Sequence, residues 1–596
     1  MSTGHHRPSE WLVDGKMVSR NLNPLVLVRL FVVVALLAII ALTVVSFSFS
    51  REEIARFLLE RVGKLHRLDD ALGIYLTETK FWLVRSLLVL STILGSIISV
   101  VVCRKPGLCL SPIQTVVKGT NLLLQEVSVT YRSLRTHEKW FLGLVTFLFC
   151  AKRLYDLLSL PINYDEAFTY LSFVSKDLWY IASYYENTNN HVLYSLVAKF
   201  WQYLPLDTTV ALRVPSFFVG LGASGIIFFL AKKIFSTKSA LAAFTFFSFS
   251  YPVHLYSLQG RGYMLLLFLF LVSLGSFLKV AFGSLLPFYW ILYAFSSAFG
   301  FYTNPMFLYP HVTLFLFGIL LFSTQRQYQS LTRLFVTEVA TGILTLLLYS
   351  PSLLVSGLND FLFTHITQTD FIFTAFNLAR QLYASARWLM GGNAGVLILA
   401  VVPIIYAILI WRYYQNRNIK ILAAFLLFLF LTPSLYMYLQ KNFPAARTWF
   451  YVIVVPSFGL SALVFLVEQS SQRIADTVAS LLCVGIIALH FLGFPAWHRE
   501  HFAQDYVVGS YIDSLPRHDG LKGYSNYFFF DTLYQYKNRQ KPFDLDVDHH
   551  FIGNKKYDFI VLDKTEENEP VISSSYQLDH DSERFQVWKR TDGIEI

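Results

Sequence analysis

Runs of about twenty apolar residues recur along most of this chain, and each is long enough to cross a bilayer as a helix. They fall near 24–48, 81–103, 139–160, 211–231, 237–254, 262–281, 284–300, 303–322, 332–355, 394–412, 419–438, 448–468 and 474–494. Of the 596 residues, 55% are hydrophobic and only 15% are charged. A soluble chain carries roughly a quarter charged residues. The pattern predicts an α-helical polytopic membrane protein with about thirteen spans. The first run, Leu25 to Ser48, is longer than a signal-peptide core and lacks a small-residue cleavage site before Arg51-Glu52-Glu53. It reads as a retained helix.

Lys/Arg bias sets the orientation. A cytosolic N-terminus places Arg104-Lys105, Lys118, Arg132, Arg135, Lys232-Lys233, Arg326, Arg412, Arg417 and Arg473 inside. Segments 161–210, 255–261, 301–304, 356–393, 439–447 and the tail then lie outside. The basic stretch 51–80 dissents; its interleaved acids suit an amphipathic helix at the interface. Residues 191–204 are too short and mixed to span and read as an interfacial helix with aromatic anchors. The net charge of +10 follows from these loops, so no nucleic-acid partner is expected. Cys103, Cys109, Cys150 and Cys483 show neither metal-ligand spacing nor a disulfide framework.

Three regions are expected: an N-terminal extension with two extra spans (1–138), a transmembrane core with the external loop 161–210 (139–495), and a soluble external α/β domain (496–596). In the last, Tyr557–Asp563 and Arg584–Lys589 have strand patterning and Tyr506–Leu515 suits a helix. The expected location is the cytoplasmic membrane.

Tyr164-Asp165-Glu166 places two acids just past an apolar helix, where a carboxylate must be solvated, paired or used. Helical spacing follows (Ala167, Tyr170, Leu171, Val174, Leu178), so N-terminal capping is one reading. Other polar groups are expected on the same side: Asn189-Asn190-His191, Gln259-Gly260-Arg261-Gly262-Tyr263 and Arg447. Both arginines also suit snorkelling to headgroups, and a lone interfacial histidine is commonly structural. Taken together, arginines offer bidentate contacts to phosphate and a carboxylate can accept a proton from an attacking group.

The order of these segments resembles the GT-C glycosyltransferases, in particular the protein-mannosyltransferase and aminoarabinose-transferase group. Asp165-Glu166 matches the acidic motif of that group's first external loop. Ala211-Leu-Arg-Val-Pro-Ser216 looks like its Arg-x-Pro-Ser motif, and Ser257-Leu-Gln-Gly-Arg-Gly-Tyr-Met264 like its second external loop. Pro444-Ala-Ala-Arg447, followed by Tyr451 and Pro456, resembles its late Arg…Pro segment. The resemblance implies a GT-C-like fold and transfer, with inversion, of a sugar from a polyprenyl-phosphate donor to an extracytoplasmic glycan, lipid or protein. It implies Asp165 as base with Glu166 in support, and carrier or donor contacts from Arg261, Tyr263, Arg447, His191 and Asn190. His191 and Asn190 stand where the aminoarabinose transferases carry a Lys-Pro-Pro-Leu stretch. No cofactor is required and no metal is predicted, although adjacent carboxylates are able to bind a divalent cation. The loop 356–393, with Asp360, His365, Asp370, Tyr383 and Trp388, is long enough to close over a substrate and equally suits an ordinary connector. Alternatives are a ligase of a lipid-linked glycan and a transporter or flippase of lipid-linked sugars. A transporter would place its charges near the midplane.

Overall fold

The computed structural model describes residues 77–104, 107–185, 190–355, 374–441, 443–514, 522–525, 527–538, 546–548, 557–564, 575–582 and 584–590, with part of 36–56. Most of the first expected span lies outside the described residues, as do Asn189, Asp360, His365 and Asp370. Contacts divide the chain into two units, Met1–Thr120 and Asn121–Ile596. In the first, Arg85 on helix Glu78–Arg104 donates to the carbonyls of Ser46 (2.7 Å) and Phe49 (2.8 Å). A further helix, Gly107–Arg132, occupies a stretch read from the sequence only as a basic inner segment.

The second unit is a helical bundle carrying a small sheet. Among the described residues, eight helices are long and apolar enough to cross a membrane: Thr208–Ile234, Tyr263–Ala281, Pro305–Thr324, Tyr328–Leu353, Asn393–Arg412, Arg417–Gln440, Ala446–Glu468 and Gln472–His501. Each coincides with an expected run. Other expected spans form helices with different character. Thr136–Ser159 carries Lys152, Arg153 and Asp156, and Pro287–Thr303 is only 17 residues long.

The run 237–254 breaks into Thr237–Phe249 and Tyr251–Leu258. Pro252 has no N–H with which to reach Ser248 O, so a continuous helix would leave that carbonyl unpaired. Arg153 Nη2 donates to it instead (2.9 Å), and His490 Nδ1 lies 2.7 Å from Phe249 O. Two buried side chains from other helices thus compensate the break.

The loop 161–210 carries three short helices, Tyr164–Thr169 (extended by a π-turn to Val174), Leu178–Ser183 and Val192–Trp201. The last falls within 191–204, the segment expected to be helical but too short to span.

The C-terminal region is α/β. Its strands are β1 (Lys522–Ser525), β2 (Asp546–Asp548), β3 (Phe559–Asp563), β4 (Tyr576–Asp581) and β5 (Phe585–Arg590), in the order β2-β1-β3-β5-β4. β1 is parallel to β2 and β3, while β5 is antiparallel to β3 and β4. Residues two apart share a face. Phe559, Val561, Phe585 and Val587 meet the helices Ala503–Ser514 and Phe528–Asn538, whereas Ile560, Leu562 and Trp588 face the other side. Ile162 and Ala167 of the first loop belong to the former core. The sheet region and the first loop are therefore packed as one body.

Phe530 is fully buried in that shared core. Phe530→Ala should destabilise this body by about 3–5 kcal/mol, read as a lower melting temperature by intrinsic fluorescence. An unchanged melting curve would contradict the shared core.

Candidate active site

The two acids of the pair have different environments. Asn163 caps the helix Tyr164–Thr169, its Oδ1 accepting from Glu166 N (3.0 Å), and Glu166 Oε2 accepts from Asn163 N (3.3 Å) in return. Glu166 has no solvent-exposed surface. Its Oε1 accepts from Arg213 Nε (2.8 Å) and Gly260 N (2.7 Å), and its Oε2 from Arg213 Nη2 (2.7 Å) and Asn163 Nδ2 (3.0 Å). Arg213 is equally committed. It donates to the carbonyls of Leu157 (3.3 Å), Leu160 (2.9 Å) and Pro161 (2.9 Å), the otherwise unpaired end of helix Thr136–Ser159.

Asp165 remains partly open, with 23% of its side chain exposed. Its Oδ2 pairs with Arg261 Nη1 and lies 3.6 Å from Arg447 Nη1. Arg261 is buried and its guanidinium sits 5.0 Å from the Tyr263 ring centroid. Arg447, on the 3₁₀ segment Ala446–Ile453, keeps 44% of its side chain exposed. Two guanidiniums around one carboxylate leave a local positive charge that suits an anion.

The Gly-Arg-Gly turn explains how Arg261 arrives. Gly260 N is held by Glu166 and Gly262 N donates to His191 Nδ1 (2.9 Å). A Cβ at Gly262 would fall 2.6 Å from His191 Nδ1, and one at Gly260 would collide with Leu212. Only glycines permit this close approach on both sides of Arg261.

His191 and Asn190 are beside the site but occupied. Burial, reinforced by Arg261 and Arg447, holds the imidazole well below its usual pKa, so it is neutral. Nδ1 accepts from Gly262 N, and Nε2 lies 3.2 Å from Asn304 Nδ2. Asn190 Nδ2 donates to Ile181 O (3.1 Å) and Tyr184 O (2.9 Å), and its Oδ1 accepts from Ser195 (3.2 Å). Tyr263 packs in a row of rings: it is 4.8 Å from His191, edge to face, and 4.6 Å from Tyr256, tilted, which lies 4.8 Å from Phe450, edge to face.

On the other side of that 3₁₀ segment runs an apolar groove of about 270 Å³, lined by Leu389, Leu399, Phe430, Trp449 and Val452 among others. Helix Ala375–Met390 forms one wall and occupies the described end of the loop 356–393. There Tyr383 donates to Asn393 (2.9 Å) and Trp388 packs 5.9 Å from Tyr256.

Two further residues hold the site together: Arg213, and Asp505, whose Oδ1 accepts from Tyr164 N (2.5 Å). Arg213 was visible as an arginine within an apolar run; Asp505 had no such signal.

No protein-family model and no curated protein matches the chain by sequence. Among solved structures, it is similar to ArnT, the aminoarabinose transferase, from Cupriavidus metallidurans. In the apo state the TM-score is 0.50 at 11% identity, covering 75% of this chain and 97% of that one. For ArnT bound to undecaprenyl phosphate the TM-score is 0.51 at 12% identity, with the same coverage. The archaeal oligosaccharyltransferase AglB from Archaeoglobus fulgidus, in complex with an inhibitory peptide and a dolichol-phosphate, overlaps at a TM-score of 0.39 and 12% identity, covering 68% of this chain and 64% of that one. The chain has a GT-C-type fold, that of a polytopic helical membrane protein with a small C-terminal sheet.

Removing Arg213 would strand the buried Glu166 carboxylate. Arg213→Ala should cost about 3–5 kcal/mol, seen as a large drop in melting temperature. Pairing it with Glu166→Gln should recover part of the loss; additive effects would contradict direct coupling.

Proposed function

We propose that the protein is a membrane glycosyltransferase. It moves a sugar from a polyprenyl-phosphate donor to an acceptor outside the cytoplasmic membrane, inverting the anomeric centre, with Asp165 as general base. The observation that carries this reading is Asp165, a partly open carboxylate held between Arg261 and Arg447. A similar structure, ArnT, is bound to undecaprenyl phosphate.

The donor phosphate draws Arg447 and Arg261 into charge-assisted contacts. Arg447, the more exposed, is free to make the larger movement. That exchange releases the carboxylate the arginines had occupied. Asp165 then takes the proton of the acceptor hydroxyl or amine as that atom attacks the anomeric carbon from the face opposite the phosphate. The new bond to the acceptor forms while the bond from anomeric carbon to phosphate oxygen breaks. Its electron pair leaves on the polyprenyl phosphate, whose charge the arginines stabilise. The proton ends on Asp165 and passes to solvent. No covalent glycosyl-enzyme is formed, and the two permanent positive charges make a metal unnecessary for this step. The isoprenoid chain lies in the apolar groove beside Trp449 and Val452. Glu166, His191 and Asn190 act as positioning residues, holding the loops that present Asp165 and Arg261.

Asp165→Asn should lower transfer by roughly 100-fold or more while binding of undecaprenyl phosphate is retained. Undiminished transfer would overturn Asp165 as the base. Arg447→Ala should weaken undecaprenyl-phosphate binding by roughly tenfold or more, the loss of a charge-assisted contact. Ala386→Trp, which fills the groove, should raise the donor KM without changing the melting temperature. A wild-type protein that moves the labelled carrier across vesicles but transfers no sugar would favour a flippase.

A further inference from the structure

We infer that Asp505 is a positioning residue for the helix that presents Asp165, capping it from the C-terminal α/β region and tying the geometry of the base to the docking of that region. The helix Tyr164–Thr169 has six residues, too few to be stable alone. Its own cap, Asn163, satisfies the amide of Glu166. The amide of Tyr164, at the first helical position, is satisfied from 341 positions away: it donates to Asp505 Oδ1 at 2.5 Å. Asp505 is 9% exposed and sits near the start of helix Ala503–Ser514, just after the last span.

The contact is built rather than incidental. The Tyr164 ring stacks on Phe529 with centroids 4.6 Å apart and planes 9° from parallel. Ile162 and Ala167, on either side of Asp165, share a core with Val508, Ile512 and Phe530. Tyr536 OH meets Thr209 at 2.9 Å, joining the same region to the start of the Arg213 helix.

The groups acting on Asp505 are the carboxylates of Asp165 and Glu166, and the phenols of Tyr506 and Tyr527 lie within its influence; Arg213 is engaged by Glu166. Burial raises the Asp505 carboxyl most, the hydrogen bond from Tyr164 N opposes the rise, and the carboxylates of Asp165 and Glu166 add to it, leaving it up at about 7. A carboxyl raised on folding binds its proton more tightly in the docked state. The resulting stability is complete below the ordinary carboxylate range and is lost as pH rises through about 7. Docking is therefore firmer at mildly acidic pH than at alkaline pH.

The test is hydrogen–deuterium exchange by mass spectrometry on the full-length protein in nanodiscs, following the peptide that contains 164–169, corrected for intrinsic exchange. This readout needs no activity, so it is separable from the proposed function, on which only the catalytic arm below rests. Asp505→Ala should raise exchange of this peptide by roughly tenfold or more, because it leaves the Tyr164 amide without its acceptor. Asp505→Asn keeps an oxygen acceptor and should restore protection, while abolishing its decline between mildly acidic and alkaline pH. In a transfer assay Asp505→Ala should lower kcat several-fold with undecaprenyl-phosphate binding unchanged. Wild-type exchange in Asp505→Ala, or equal exposure in both variants, would overturn the assignment. If Asp505→Ala does not fold, a wild-type pH dependence retained in Asp505→Asn overturns it and a flat profile supports it. If protection behaves as stated but the wild type transfers no sugar, the glycosyltransferase reading falls and the positioning role stands.

Discussion

The buried pair between Glu166 and Arg213 is the contact on which the rest of the site depends. Burying two charges costs more than their attraction returns unless the remaining donors and acceptors are satisfied. Here they are: Arg213 closes the carbonyl end of helix Thr136–Ser159, and Glu166 holds the Asn163 cap and the Gly260 amide. Three segments distant in sequence, 157–166, the helix of Arg213 and the turn at Gly260, are joined by one ion pair. Each partner is specified by the others, because removing any of them leaves a charge or a backbone group unpaired in an apolar setting.

That joint lets neighbouring acids do different things. Glu166 is fully enclosed, whereas Asp165, one residue earlier, is turned toward Arg261 and the exposed Arg447. The same Gly-Arg-Gly turn that binds Glu166 and His191 through its backbone delivers Arg261 through its side chain. The C-terminal α/β region adds to the same rigid frame, because its core includes residues of the first loop. The 3₁₀ segment Ala446–Ile453 carries Arg447 and also contributes Trp449 and Val452 to the wall of the apolar groove.

Much of this was legible in the sequence. Long apolar runs specify spanning helices through length alone, and eight expected runs are helices of that kind. The acidic pair, Arg261 and Arg447 stand out because charges beside apolar segments are costly, and the structure brings Asp165 and both arginines together. Roles within the cluster were less legible. Sequence spacing does not distinguish an open carboxylate from an enclosed one, so Glu166, His191 and Asn190 read as chemical groups although their polar atoms are engaged in holding loops. The break at Pro252 was hidden because its compensation comes from Arg153 and His490, residues on other helices. Asp505 was invisible for the same reason: its partner is a backbone amide, which has no sequence signature.

In the proposed reaction Arg261 and Arg447 hold the phosphate of a polyprenyl carrier beside Asp165. Native mass spectrometry of the protein purified from its membrane tests this most directly. A polyprenyl-phosphate or polyprenyl-phosphate-sugar adduct is expected on the wild type and should be lost in an Arg261→Gln, Arg447→Gln double variant of wild-type melting temperature. Phospholipid adducts alone in both proteins, with no polyprenyl phosphate retained when undecaprenyl phosphate is added, would contradict it.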